Sequence, residues 1–409
     1  MSQKRVIAVI FGGRSVEHDV SVLTGLQFIE ALDPGKYEGL PVYVDPLGQW
    51  WTGEALKRRS HYPIKSEAHK DLLQVTLDLA TPAAGRPQLV AFSKGLIGKK
   101  RTEIPFDLMV PAIHGSNGED GTLQGMLEFA GIPFAGCRPL GAASTMNKVF
   151  TKALARANGI HVLPELGLRR PKAGSFLDPD ALKGQLEATF GRVHFPYIVK
   201  PCNLGSSIGV GKAEDMDGLI AALMTAFRLD GSAIIEPFVQ NLAEYNIAVR
   251  RRPGGGIETS AIERPKIKSE VLDFKNKYLA GGTAGGPKMD SAPSEGMASL
   301  NRTINPEELT EAQETFVRTS AAEVFDLLSL AGSVRIDYLC DSGTGDLWLN
   351  EVNTIPGSFA YFLWEAAKDP ISFLALTDAI IEEGFHLSAQ RLGKTDSAAG
   401  GATIFASGD

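Results

Sequence analysis

The sequence predicts an α/β protein, with an N-terminal parallel-sheet domain of the Rossmann-like kind followed by two α+β domains. Three observations carry that prediction. A buried strand over residues 4–11 runs through Gly12-Gly13 towards a helix, the opening of a strand-turn-helix unit. The chain has 409 residues, more than one core usually holds, so two or three domains are expected. Residues 334–340 and 346–352 are rich in β-branched and aromatic types and are parted by Asp341-Ser-Gly-Thr-Gly345, which makes them a β-hairpin.

In chain order, Ser15 is the expected N-cap of the first helix. A strand near 39–44, a mixed segment over 48–104, a strand at 107–113 and a helix near 121–130 complete a parallel-sheet domain over 1–136. Helix 142–158, strands 196–201 and 207–212, helix 215–228 and strand 232–237 make a central α+β domain, 137–235. The third domain, 236–390, holds strands 244–251 and 257–264 and a helix 307–330 with Asn305 as cap and Pro306 at its first position. The hairpin and a terminal helix at 371–386 follow. The long irregular stretch 265–305 is read as a lid, and the Gly/Ala/Ser-rich residues 391–409 as a flexible tail.

Composition narrows the function classes. Hydrophobic content of 44% and charge of 22% are those of a soluble globular protein. A net charge of −7 gives no electrostatic footprint for nucleic acid or an anionic membrane, so neither is an expected partner. No apolar run approaches the roughly 18 residues that span a bilayer. Met1-Ser-Gln-Lys-Arg5 leads straight into a strand, and the expected location is cytoplasmic. Cys137, Cys202 and Cys340 are too few and too scattered for a disulfide framework or a zinc site.

The hairpin carries the clearest chemistry. With period-two alternation, Arg335 and Asp337 share a face of one strand, Glu351 and Asn353 a face of the other, and the short turn brings those faces to one side. Two carboxylates and an amide oxygen, with no His or Cys, are hard ligands suited to Mg²⁺ held together with phosphates. The same alternation puts Leu339, Leu347 and Leu349 on the charged face and Val334, Ile336, Tyr338, Trp348 and Val352 on the other, so both faces are covered. A solvated polar face is the competing reading, but covered charges need a partner.

Three more segments qualify. From Ile198 to Val210 a strand delivers Lys200, and a small-residue loop with Ser206 and Ser207 returns; this offers a cation, amides and hydroxyls to phosphate, and equally fits a plain hairpin with a surface lysine. Residues 234–239, with Glu236, Phe238 and Val239, end a strand and offer amides and an apolar slot to a flat base, or serve as a linker; Glu244 lies within reach of a ribose or is simply solvated. Pro111 to Gly125 follows a strand and leads into a helix, where open α/β sheets place ligands. His114 there is more often a structural hydrogen-bonder than a catalyst. Glu119 and Asp120 are read as the turn and cap that aim the helix.

These residues resemble, across nearly the whole chain, the D-alanine:D-alanine ligases of the ATP-grasp superfamily. The matching motifs, in order, are Phe11 to Ser21, His114 to Gly125, Met146-Asn-Lys148, Lys200 to Gly209, Lys277-Tyr278 and Arg335 to Gly357. The resemblance implies an ATP-grasp fold whose two α+β domains enclose ATP. Lys148 and Lys200, with Ser206 and Ser207, would hold phosphates; Glu236, Phe238, Val239 and Glu244 would hold adenosine; Lys277 would contact the γ-phosphate. Asp337, Glu351 and Asn353 would hold two Mg²⁺, a role also open to Mn²⁺. Glu17 would bind the first D-alanine's amino group, joined by Ser206 and Tyr278 in a set that closes the lid. Arg335 and the Gly357 amide would stabilise the tetrahedral intermediate, with His114 near both substrates. The resemblance also implies small amino-acid substrates and a homodimer.

One departure matters. After Asn-Thr-x-Pro-Gly the family usually carries Thr and Ser residues, one of which grips the second substrate's carboxylate; this chain has Phe362 at that place. Lys277, Ser358 and backbone amides are the remaining donors, and Phe359, Phe362 and Trp364 would otherwise shape a pocket for a larger acceptor. A related ligase with another acceptor, from secondary metabolism or making a modified dipeptide, is the alternative. Tyr278 speaks for an amino acid over a hydroxy acid as acceptor.

Overall fold

The computed structural model describes residues 3–62, 64, 71–80, 85–94, 99–172, 177–265 and 302–399. The first sheet has seven strands in the order β6-β5-β4-β3-β2-β1-β7: β1 (Arg5–Gly12), β2 (Tyr37–Val44), β3 (Trp50–Thr52), β4 (Leu73–Leu77), β5 (Gln88–Lys94), β6 (Lys99–Pro105) and β7 (Leu108–Pro111). Only β2-β1-β7 is parallel. The expected parallel unit is therefore present as β2-β1-β7, while from β2 to β6 every pairing is antiparallel and extends the sheet. The connection from Val44 to Trp50 is too short for the crossover that parallel strands need.

Helix α1 (His18–Glu30) follows β1, and α2 (Thr122–Phe129) follows β7. Ser15 is not the N-cap of α1. Its Oγ accepts the Glu17 N–H and its carbonyl accepts the His18 N–H, so it builds the turn before the helix, and the cap position falls to Glu17. The expected helix 142–158 is two helices, α3 (Pro139–Met146) and α4 (Lys148–Ala157). Asn147 breaks it: the residue lies in the extended region, and its side chain accepts the Phe150 N–H as the cap of α4. Lys148 thereby becomes the first residue of a helix.

The second sheet has the order β10-β9-β11-β8, from β8 (Leu166–Arg169), β9 (Tyr197–Pro201), β10 (Gly211–Ala213) and β11 (Ser232–Pro237). Helices α5 (Pro179–Phe190) and α6 (Met216–Leu229) cover it, sharing Leu182, Leu186, Leu219, Leu223 and Phe227 with Tyr197, Val199 and Ile235. The strand expected at 207–212 is only β10. Ser206 and Ser207 hold left-handed φ of 53° and 58°, which keeps the preceding residues in a loop.

The third sheet, β14-β13-β12-β15-β16, comprises β12 (Leu242–Arg251), β13 (Ile257–Pro265), β14 (Arg302–Ile304), β15 (Val334–Asp341) and β16 (Leu347–Asn353). Helix α7 (Glu311–Leu327) packs Val317, Ala321, Val324 and Phe325 on one face of it. The helix starts later than expected. Thr310 and Gln313 form a reciprocal capping box, whereas Asn305, at φ 49°, closes the edge of β13 through Ile262.

A turn of helix, α8 (Tyr361–Glu365), and the long α9 (Phe373–Ala399) end the described chain. Residues Ile355, Phe359 to Trp364, Leu376 and Ile380 share one core with Ile7, Val9, Phe11 and Phe28. The chain end thus returns to the first sheet, where Tyr37 reaches both Asp378 (2.7 Å) and Glu382 (3.0 Å). Helix α9 continues past the expected end at 386 and beyond 390, where a tail was expected.

Candidate active site

A cleft opens between the second and third sheets, lined by Lys148, Lys200, Ser207, Glu236, Phe238, Val239, Glu244, Asp337, Asn350 and Glu351 among others. Its apolar end is made by Leu163, Val239 and Leu339 with Leu242 and Trp348. Its polar end holds the lysines. This is the shape a nucleotide needs, a flat apolar slot running into a cationic floor.

The hairpin faces differ from strict alternation. Arg335 pairs with Asn353 and Asp337 with Glu351, but the register then shifts so that Tyr338 faces Leu349. This bulge sends two successive residues, Asn350 and Glu351, into the cleft. It also reverses the phase beyond them: Leu347 and Leu349 join Tyr338 and Val352 in the core on the far side of the sheet, while Trp348 joins Leu339 on the cleft side. The charged set stays together as expected, while the assignment of Leu347, Leu349 and Trp348 is overturned.

Arg335 holds both oxygens of Asp337, at 2.6 and 2.7 Å, and Asn353 donates to Asp337 at 3.0 Å. Glu351 pairs with Lys148 at 3.1 Å. Lys200 lies 2.6 Å from Glu236 and donates to Asn350 at 3.2 Å. Burial works to raise the Glu236 pKa, yet the ammonium groups of Lys152 and Lys200 hold it at about 2. The Glu236 carboxylate is thus fixed between two lysines, and its main chain is what it can offer to a flat base, in keeping with the amides expected of this segment. Phe238 carries the Lys212 ammonium 4.2 Å above its ring.

A second cavity adjoins the first, lined by Glu17, Gly115, Glu119, Gly205, Asn353 and Thr354, and sharing Lys148, Leu204 and Glu351 with the cleft. Glu17 is 6% exposed and accepts the Ser206 hydroxyl, so these two residues, 189 apart in sequence, meet as the resemblance implied. Space around the carboxylate is kept by glycine. A Cβ at Gly115, whose φ is +71°, would lie 2.6 Å from Glu17 Oε2. Glu119 accepts the N–H groups of Gly115 (2.8 Å) and Ile355 (3.0 Å), and burial with the nearby Glu17 raises its pKa to about 8. Asp120 caps the turn, accepting from Asn117 and Thr122.

His114 is buried against Thr24, with Nε2 and Oγ1 2.9 Å apart; burial and then the Arg335 charge push its pKa down to about 3. Thr24 also accepts the Ser358 N–H at 3.1 Å. Ser358, expected to face substrate, is 2% exposed and donates its hydroxyl to Gln27, so it anchors α1 instead. Gly357 opens the turn that leads there. Phe359 and Trp364 are core residues, which overturns the acceptor pocket expected from them. Phe362 alone stays at the margin, with the Arg302 guanidinium 4.0 Å above its ring. Lys277, Tyr278 and nearly all of the expected lid lie outside the described residues.

Sequence reasoning passed over Thr24 and Lys152. Ser21, Thr24 and Gln27 recur every three residues on the buried side of α1, a polar stripe that marks a helix face turned to a site. Lys152 lies one turn after Lys148, and that spacing was the signal for it.

Comparison with known proteins agrees with this geometry. The family model described as D-ala D-ala ligase N-terminus matches residues 6–137, and D-ala D-ala ligase C-terminus matches 154–382. A D-alanine--D-alanine ligase of Thermoanaerobacter sp. (strain X514) is 32% identical over 385 residues, 93% of this chain and 96% of that protein. The D-alanine-D-alanine ligase from Coxiella burnetii has the same fold, with TM-score 0.73, 23% identity and coverage of 97% of this chain and 100% of that one. The VanG D-Ala:D-Ser ligase from Enterococcus faecalis superimposes with TM-score 0.68 at 25% identity, covering 93% and 100%. The fold is ATP-grasp, as the motifs implied.

Proposed function

The chain belongs to the D-alanine–D-alanine ligase family, and from that premise we propose that it joins two D-alanines with ATP, for peptidoglycan precursor synthesis. The first amino acid's carboxylate oxygen attacks the γ-phosphorus, which releases ADP and leaves an acyl-phosphate. The second amino acid's amine then attacks the acyl carbon, phosphate departs, and the nitrogen loses a proton. One observation carries the reading: Lys148, Leu204 and Glu351 line both the nucleotide cleft and the Glu17 cavity, so an amino acid held at Glu17 lies beside the phosphate end.

Glu17 takes the ammonium of the first amino acid, and Ser206 fixes that carboxylate. Lys148 and Lys200 draw the phosphates, with Ser207 beside them, while Phe238, Val239 and Glu244 receive the adenosine. Arg335, planar and always charged, offers the developing oxyanion the guanidinium edge opposite the one that holds Asp337, with the Gly357 amide as its companion. His114 stays neutral at working pH and positions Thr24 beneath that turn. Lys277 and Tyr278 keep the roles that the resemblance gives them.

Asp337, Glu351 and Asn353 fit Mg²⁺: they are hard oxygen donors gathered on one face, next to lysines that share the phosphates. When bound, such ions neutralise the repulsion between an anionic nucleophile and an anionic phosphate. Among the described residues no helix is long and apolar enough to cross a membrane. We place the enzyme in the cytoplasm, as a homodimer.

Purified full-length protein with D-alanine as sole amino acid, ATP and Mg²⁺ should release ADP and yield a product with the mass of D-alanyl-D-alanine. Absence of both would end the proposal. Phe362, with no hydroxyl, supports a second reading in which the acceptor is another amino acid. Weak ADP release that rises sharply with a second, bulkier amine would select it.

A further inference from the structure

Lys152 is a buried ammonium that the reaction above does not use. It projects from α4 one turn beyond Lys148, is 1% exposed and does not line the nucleotide cleft. Its Nζ is paired with Glu236 Oε1. The other oxygen of Glu236 lies 2.6 Å from Lys200, which does line the cleft. Lys200 and Glu236 stand on neighbouring strands, where Lys200 faces Ile234, so they form a diagonal pair on one face of the sheet.

Charge balance makes this arrangement informative. A buried carboxylate needs one cation, and Lys200 alone would supply it. A second ammonium brought in from behind adds a desolvation cost with no gain in neutrality. What it changes is the net charge at the cleft floor. Lys200 with Glu236 alone sums to zero; with Lys152 included, the three groups sum to +1. An anionic phosphate then meets a cation whose charge is not already spent on a carboxylate.

Resting on the reading of this cleft as the nucleotide site, we propose that Lys152 is the resident counter-ion of Glu236 and a positioning residue for ATP: it leaves the Lys200 charge available to phosphate. Burial lowers the Lys152 pKa against the pull of Glu236, and burial also works against charging Lys200, where the same carboxylate prevails and raises it. When phosphate arrives, Lys200 turns some of its donors from Glu236 Oε2 to the ligand, and Lys152 keeps the carboxylate compensated.

The test uses the full chain and a non-hydrolysable ATP analogue, with titration of Kd and separate KM values for ATP and for D-alanine. Wild-type binding of the analogue establishes the nucleotide reading; its absence there would refute that reading rather than the role of Lys152. Given binding, Lys152→Met should weaken the analogue on the order of tenfold, with the D-alanine KM within about twofold. Lys152→Arg, which keeps the charge, should stay near wild type. Lys152→Met/Glu236→Gln, which removes one cation and one anion and restores a net +1, should recover most of the affinity. Equal losses in the Met and Arg variants, or a folded double variant as weak as Lys152→Met, would show that Lys152 acts by packing and overturn the proposal. Unchanged affinity in Lys152→Met would overturn it too. If Lys152→Met does not fold, the comparison of Lys152→Arg with the double variant decides: both must bind near wild type.

Discussion

Glu351→Gln separates catalysis from folding at this site. Glu351 faces Asp337 across β15 and β16 and lines both cavities. Its ion pair with Lys148 spans 3.1 Å, with side chains 18% and 10% exposed. Glutamine keeps the shape and one acceptor, so what is lost is the charge on that contact, about 1–2 kcal/mol. In a chain of this size that lowers the melting temperature by a few degrees at most. The effect on turnover is larger. Glu351 is the anionic oxygen at the junction of the two cavities, and removing it weakens the proposed cation site where nucleophile and phosphate meet. Loss of one such preorganised electrostatic group costs about 3–4 kcal/mol, a fall of roughly 10²–10³ in kcat. ADP release at saturating Mg²⁺, measured alongside a thermal melt, reads both. Near-normal turnover in a folded Glu351→Gln protein would refute the assignment, and so would a collapse of stability that explains the lost rate.

The buried neutral His114 makes stability depend on acid. Its folded pKa, at about 3, lies below the ordinary value of 6.5, so the unfolded chain binds more protons between them; its contribution is present above pH 6.5 and is lost as pH falls towards 3. His114→Gln should flatten the fall in unfolding free energy over that window by an amount on the order of a few kcal/mol, read from denaturant titrations at each pH, and parallel curves for the two proteins would contradict it. Gly118→Ala should disable the loop, because its Cβ would lie 2.0 Å from the Ile113 carbonyl oxygen; a melting temperature unchanged from wild type would show that the loop yields freely. Phe362→Ala removes the ring beneath Arg302, an interaction worth about 1 kcal/mol, and should raise the KM of the second amino acid severalfold while leaving that of the first alone. Equal changes in both would place Phe362 away from the acceptor.

Much of the site was legible because its residues sit on regular elements. Period two put Arg335 with Asp337 and Glu351 with Asn353, and the observed register keeps all four on one side. The failures came where a single residue breaks periodicity. One bulge beside Asp337 reversed the faces of Leu347, Trp348 and Leu349, and nothing in their identities announces it, since all three suit either face. Asn147 split a helix that composition alone would continue, and Thr310 outcompeted Asn305 as a cap through a partner three residues on. Both signals were present in the sequence but were outweighed by the length of the hydrophobic pattern.

The rest was hidden by distance along the chain. Asp120 is legible as a turn-maker because both of its bonds lie within three residues. Its neighbour Glu119 has one bond of that kind, to Gly115, and a second to Ile355, 236 residues away. Local reasoning found the first and could not find the second. The same holds for Thr24, which joins His114 at a separation of 90 and Ser358 at 334. Such bonds leave no periodicity, because neither partner needs a particular neighbour in sequence. Yet they tie α1, the His114 loop and the turn at Gly357 together. In a reaction that passes an acyl group between two bound amino acids, the relative placement of those three segments sets the attack geometry, so part of what positions the substrates is written where a single sequence is least readable.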